Sequence, residues 1–473
     1  MITTHSFERL SMSGEFVSSD QIRSWFSAAM SGMYREEVPA YGTLLDLVKE
    51  VNEGYLDAHA EEKERLGQLG ELERIGDERH GAIRLGTADE LSTIRRLFAV
   101  MGMEPVGYYD LSVAGVPVHS TAFRPIRDES LKANPFRVFT SLLRLDLIAD
   151  EKLRNEAAQI LAIRQIFTPG CIALIEKAEA NGGLSAADGE NFVNEALETF
   201  RWHTQASVSA SMYQKLHDAH RLIADVVSFR GPHINHLTPR TLDIDKVQTL
   251  MPEHGITPKA VVEGPPTRNV PILLRQTSFK ALQEMVDFVV ADGKAEAGRH
   301  TARFGEIEQR GLALTPKGQA LYDRLLAETR AKVTPAADGS NAAEYMSTLS
   351  ETFAEFPDDL ETLRREKLGY FRYTATGKTD ASVTAASDLD TLLSAGVIAA
   401  DPIVYEDFLP VSAAGIFQSN LGDEAAQAFS ANPNRDRFEA DLGASVKDLY
   451  QLYAEIEASS LARARAKLAL AAA

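Results

Sequence analysis

The 473-residue chain has a single cysteine, Cys171, which excludes an intrachain disulfide framework and a cysteine-cluster metal site and fits a reducing compartment. It has no run of about 18 uncharged apolar residues, and its opening, MITTHSFERLSMSGEF, lacks a basic segment followed by an apolar one. Neither a membrane span nor a signal peptide is therefore expected. Positive charge is in deficit: 49 Lys and Arg against 68 Asp and Glu leave a net charge of −19. Such a surface repels phosphate backbones and anionic headgroups, which argues against nucleic-acid and membrane partners. An anionic substrate would need a local positive island of arginine or metal, set against that global sign. A Walker loop, a Gly-x-Gly-x-x-Gly turn between strand and helix, and a Gly-x-Ser-x-Gly elbow are all missing. Nucleotide-driven, dinucleotide-binding and serine-hydrolase chemistry thereby lose their sequence support. The expectation is a soluble, cytoplasmic, folded protein in which metal chemistry is left standing.

What is present has a clear order. Residues 1–78 read as a helical preface, from the three- and four-residue spacing of Ile22, Trp25, Phe26 and Met30. Residues 79–148 then read strand, helix, strand, strand, strand: HGAIRLGT, ADELSTIRRLFAVMGM capped by Thr87, PVGYYDLSV, VPVHSTAFRP and FRVFTSLLRLDL. Residues 149–229 return to helical periodicity as an insertion, including MYQKLHDAHRLIADVV. The first order recurs over 230–312, in HINHLTPR, DIDKVQTLMPEHG, KAVVEGPP, ILLRQTSF and TARFGEIEQRG. Residues 313–473 are mainly helical, except for 403–420, IVYEDFLPVSAAGIFQSN, which is suited to folding against a pocket. The expected fold is α+β: two βαβββ units forming a central curved, barrel-like mixed sheet around a metal site, with helical insertions and flanks.

Each unit opens on His-x-x-x-Arg, His80 with Arg84 and His236 with Arg240, and positions i and i+4 share one face of a strand. The last strand of the second unit adds Glu306 and Glu308, which alternation cannot separate. Two imidazoles and one carboxylate form the ligand set that suits non-haem Fe(II) and leaves positions open for a chelating substrate and dioxygen. A fourth protein ligand would point instead to an isomerase or lyase. Singly, a His or Glu on a strand is more often a hydrogen-bonded structural residue; joint placement gives these three their weight. His233 is the rival to His236, but three residues apart on a strand means opposite faces. His217 and His220 have helical spacing with no completing carboxylate, and His203 beside Trp202 reads as packing. Arg84 and Arg240 suit either a structural ion pair or an acid substrate, whose carboxylate the guanidinium fork matches. Cys171, on the apolar face of a helix, reads as an inert buried thiol.

At this point the residues carry a likeness. ERHGAIRLGT, FAVMGMEPVGYYDLS, GVPVHSTAFR, GPHINHLTPRTLDID, VVEGPPTR, ILLRQTSFKAL, HTARFGEIEQRG and VYEDFLPVSAAGIFQSNLG resemble the 2-oxoadipate dioxygenase/decarboxylase family, also called 2-hydroxyglutarate synthase, along nearly the whole chain. The resemblance implies an Fe(II) enzyme of bacterial lysine catabolism acting on 2-oxoadipate and O2, with a fold akin to vicinal-oxygen-chelate proteins. It implies His80, His236 and Glu306 as metal ligands and catalytic residues, and Arg84 and Val411 as substrate contacts. Divergence from the family falls in the N-terminal tail and at residues 330–345 and 375–400, expected to be surface segments. Two other readings stay open: a different dioxygenase or isomerase on this scaffold acting on another 2-oxo acid, and a non-catalytic protein that holds a small acid.

Overall fold

The computed structural model describes residues 16–279, 283–290, 295–301, 303–336, 339–380, 382–409 and 433–471. The first unit folds in the expected order. Strand β1 (Arg79–Leu85) leads into the helix Ala88–Val100, whose start is fixed by the Thr87 hydroxyl accepting from the Glu90 N–H. Then come β2 (Glu104–Asp110), β3 (Val118–Arg124) and β4 (Arg137–Leu143). With β5 (Leu237–Pro239) they form one sheet in the order β2-β3-β4-β1-β5, β1 running parallel to β4 and antiparallel to β5. Every residue of β3 and β4 is buried, because helices cover one face and the other faces the polar interior of the site.

The second unit departs from expectation in three places. Between the helix Ile244–Leu250 and β6 (Leu274–Ser278), KAVVEGPP makes no strand; a single bridge, Glu263 to Gln276, and the Lys259 N–H donating to the Ser278 carbonyl join it to β6. The Gly-Pro-Pro run ends any ladder, since proline has no N–H to give. Gly264 also lies at φ 104° with its α-carbon so close to β6 that a Cβ would stand 2.3 Å from the Leu274 carbonyl oxygen. Second, a hairpin of β7 (Glu284–Val289) and β8 (Ala295–His300) precedes β9 (Glu306–Arg310). Third, the central sheet is mixed as expected, but the barrel does not close. β6 and β9 form a separate pair, joined to β5 by one bridge, Arg240 to Glu308, because β5 is three residues long and stops at Pro239. At the other end, the free edge of β2 is taken by Lys447, which exchanges backbone hydrogen bonds with Pro105 and Gly107.

The helix Ser19–Glu37 packs on this sheet through Phe26, whose ring meets Phe136 and Phe200 edge-on. Its buried Arg23 donates to the carbonyls of Ser130, Asn134 and Met101. About three turns further on, the Tyr34 hydroxyl reaches the carbonyls of Asn235 and Phe304 at 3.1 and 2.9 Å, fixing the chain just before His236 and Glu306. Beyond β9, β10 (Phe371–Ala375) and β11 (Ile398–Pro402) pair antiparallel. The helix Leu449–Ala471 closes the edge of β10 with side chains: Glu457 and Ser460 accept from the N–H groups of Phe371 and Tyr373. Among the described residues, no helix is long and apolar enough to cross a membrane.

Candidate metal centre

The pairing of β1 with β5 sets the site. His80 lies opposite Thr238 and Gly81 opposite Leu237, so His236, two residues before Thr238, falls on the face of His80. Gly81 makes room for this: a Cβ there would come within 2.4 Å of the Ile234 side chain and 3.2 Å of the His236 carbonyl oxygen. β9 then brings Glu306 across, its Oε2 3.1 Å from His80 Nε2, 3.5 Å from His236 Nε2 and 3.0 Å from the Thr238 hydroxyl that donates to it. All three side chains are fully buried, and their ligand atoms lie within 4.8 Å of one another.

Glu306 and Glu308, indistinguishable by alternation, are separated by their partners. Glu308 sits 2.8 Å from His80 Nδ1 and is itself gripped by both arms of Arg310, at 2.8 and 2.9 Å. It therefore orients the His80 ring and leaves Nε2 turned towards Glu306, the carboxylate–histidine arrangement found behind metal ligands. A divalent cation fits the residues present. Among the described residues the ring nitrogen Nε2 of His236 and Oε1 of Glu306 are buried without a hydrogen-bond partner, a costly arrangement unless another group satisfies them.

The electrostatics agree. Burial pushes the His236 imidazole down to about 4 against the pull of Glu306, so it is neutral and able to ligate. For His80 burial works downward too, but the two carboxylates win and raise it. Burial would raise both carboxyls; Glu308 is nonetheless drawn down to about 2 by Arg310 and His80, and Glu306 is lowered by His236 and His80.

Behind the centre lies a buried ionic lattice that sequence reasoning missed. Glu78, two residues before His80, accepts from Arg74, Arg137 and Arg240, and Glu406 accepts from Arg74 and Arg137. Arg240 thus serves this lattice, whereas its counterpart Arg84 does not. The described part of the 403–420 segment does lie against the site: Phe408 meets the His80 ring edge-on at 4.9 Å, and Asp407 pairs with Arg124. Val411 lies outside the described residues.

Arg84 donates to Asp225 Oδ2 at 2.7 Å. The other oxygen of Asp225 lies 2.9 Å from His300 Nε2 and 3.3 Å from His233 Nε2, so His233 belongs to this second buried cluster and not to that of His236. Asp225 and His300 carried no signal: one sits in an apolar helix, the other ends a hairpin strand. That helix is also interrupted, for His220, expected on a continuous helical face, ends the helix Ala210–Ala219 and caps Arg221–Ser228 with its Nδ1. Lys259 was missed as well; burial brings its ammonium down to about 7 against the pull of Glu263 and Glu306. Cys171 is buried, and burial raises its thiol to about 12, as suits an inert group.

In this mixed α+β scaffold His80 of the central sheet, His236 just before β5 and Glu306 of β9 bring ligand atoms together that could hold one metal ion, the two-histidine, one-carboxylate class of site. Residues 26–420 match the family model described as 2-oxoadipate dioxygenase/decarboxylase. The chain belongs to that family and is an enzyme of it. A 2-oxoadipate dioxygenase/decarboxylase of Pseudomonas putida is 61% identical over 450 residues, covering 94% of this chain and 97% of the relative. One of Mycobacterium bovis is 41% identical over 441 residues, covering 92% and 95%. The crystal structure of the Pseudomonas putida hydroxyglutarate synthase in complex with 2-oxoadipate superposes with a TM-score of 0.89 at 58% identity, covering 96% of this chain and all of that one.

Proposed function

We propose that this enzyme is an Fe(II)-dependent dioxygenase that oxidatively decarboxylates 2-oxoadipate and hydroxylates the product to 2-hydroxyglutarate, with release of CO2. The observation that carries the reading is the convergence of His80, His236 and Glu306 with buried ligand atoms left without partners, in a chain of this family. When bound there, Fe(II) supplies sites for a chelating 2-oxo acid and the one-electron chemistry that dioxygen requires. In the net reaction the bond between C1 and C2 of 2-oxoadipate breaks and C1 leaves as CO2. One oxygen atom completes the new carboxylate and the other becomes the 2-hydroxyl group. The electrons come from the 2-oxo acid itself, so no nicotinamide and no second oxo acid is consumed.

The chain's own residues supply placement. Glu308 holds the His80 ring in one orientation, and Thr238 holds Glu306. Phe408 packs on the His80 ring, with Phe139 behind it, and Phe304 packs on the His236 ring, apolar surface that excludes water. Arg84 is assigned to the distal carboxylate of the substrate, and Val411, in the family motif FLPVSAAG, is assigned as a second substrate contact. Exclusion of water and fixed orientation keep the two oxygen insertions on one substrate molecule.

Anaerobic loading with Fe(II), followed by 2-oxoadipate and oxygen, tests this. Oxygen uptake, CO2 and 2-hydroxyglutarate are expected in equal amounts. Bound iron with no oxygen uptake would refute the reaction and leave an isomerase or a binding protein of the same scaffold.

A further inference from the structure

Resting on that reading, we propose that Asp225, with His233, His300 and Tyr213 behind it, is the positioning device that makes Arg84 selective for a 2-oxo acid with a distal carboxylate. The observation is a continuous chain of polar contacts ending on Arg84, buried at His300, Asp225 and Arg84 and half-buried at Tyr213. Tyr213 Oη lies 2.9 Å from His300 Nδ1, His300 Nε2 lies 2.9 Å from Asp225 Oδ1, and Arg84 donates to Asp225 Oδ2 at 2.7 Å. Four separate elements meet there: β1 with Arg84, the helix Arg221–Ser228 with Asp225, β8 with His300, and the helix Ala210–Ala219 with Tyr213. His233 comes from the segment that also carries His236.

The hydrogen-bond order follows from donor chemistry. Arg84 only donates, so Asp225 accepts on that side. His300 then donates to the same carboxylate through Nε2–H and accepts the Tyr213 hydroxyl at Nδ1, which fixes its tautomer. The ring of Trp202 lies parallel to His300 and edge-on to His233, limiting rotation of both.

A bare aspartate beside Arg84 would compete with an incoming carboxylate for the same guanidinium. Here the far oxygen of Asp225 is held by His300 at 2.9 Å with His233 at 3.3 Å, so the carboxylate is fixed in place and sets the direction of Arg84. In a protein of net charge −19, an oriented Arg84 is the local positive group that an anionic substrate needs.

The decisive test compares 2-oxoadipate with 2-oxohexanoate, of equal length but ending in a methyl group. Each is titrated anaerobically into the Fe(II)-loaded full-length enzyme, read by the charge-transfer absorption of the chelated 2-oxo acid and so independent of turnover. Asp225→Asn is expected to weaken 2-oxoadipate by about tenfold or more, the loss of a charge-assisted contact. It should leave 2-oxohexanoate within about twofold and iron at one equivalent per chain. Asp225→Glu should recover part of the loss, and in an Arg84→Lys background Asp225→Asn should add little. Tyr213→Phe, a milder variant of the same chain, should weaken 2-oxoadipate alone by a smaller factor. Equal weakening of both acids, or no change in either, would overturn the proposal. So would a second equivalent of metal that disappears in Asp225→Asn, because the cluster would then be a metal site. A wild-type enzyme that chelates 2-oxohexanoate but shows no preference for 2-oxoadipate would refute the substrate reading itself.

Discussion

Between its two carboxylates, His80 meets unequal partners: Glu306 shares its Nε2 side with His236, and Glu308 holds Nδ1 while being held by Arg310. His236→Ala should therefore abolish iron binding and turnover, whereas His233→Ala should retain iron, both read by metal analysis of the purified protein. Glu308→Gln should still bind iron, but more weakly by about 10–100-fold, the usual effect of losing the group behind a ligating histidine; a chelator competition measures it. Arg84→Lys loses the planar fork, and KM for 2-oxoadipate should rise about tenfold or more while kcat changes less. Part of this grouping was legible in the sequence: His233 and His236 were expected to point apart and they do enter different clusters, although both precede β5, which begins only at Leu237. The choice between Glu306 and Glu308 was not legible from alternation, because it depends on which of them β9 sets against Thr238 and which against Arg310.

Short elements carry much of the precision here. β5 has three residues and one proline, yet it holds β1 on one side and bridges β9 on the other. The contact depends on Gly81, so Gly81→Ala forces Ile234 aside. Overpacking of that kind costs about 1–3 kcal/mol, and a lowered Tm with reduced iron content should report it. The first unit was readable because each of its strands is long and bounded by turn formers. In the second unit KAVVEGPP has the composition of a strand, but Pro265 and Pro266 have no N–H to continue a ladder, and the segment keeps a single bridge, Glu263 to Gln276. The β7–β8 hairpin was missed for the opposite reason: β8, AEAGRH, is exposed over most of its length and carries no apolar face to announce itself.

At the scale of the whole molecule, the buried ionic lattice joins parts of the chain more than 300 residues apart, as in the pair of Arg74 with Glu406. Burial would raise the Glu406 carboxyl, but Arg74 and Arg137 draw it down to about 2, and Glu78 is held well below its usual range by Arg74, Arg240, Arg137 and Arg310. A depressed carboxylate stabilises the fold fully above its unfolded value and loses that contribution as pH falls through the folded one. Stability should accordingly be insensitive to these groups above about pH 4.5 and fall between there and about pH 2. Acid unfolding followed by circular dichroism is expected to show this, with a flatter profile in Glu406→Gln. No sequence pattern announces such a lattice, because its members are scattered charges whose meeting depends on the completed fold.

The fate of the two oxygen atoms tests the proposed reaction most directly. Turnover of 2-oxoadipate by the Fe(II)-loaded enzyme under 18O2, with the product analysed by mass spectrometry, should give 2-hydroxyglutarate carrying both labelled atoms and CO2 carrying none. Product with a single labelled atom, or with label only in CO2, would contradict a dioxygenase that completes both insertions on one substrate at the His80, His236 and Glu306 centre.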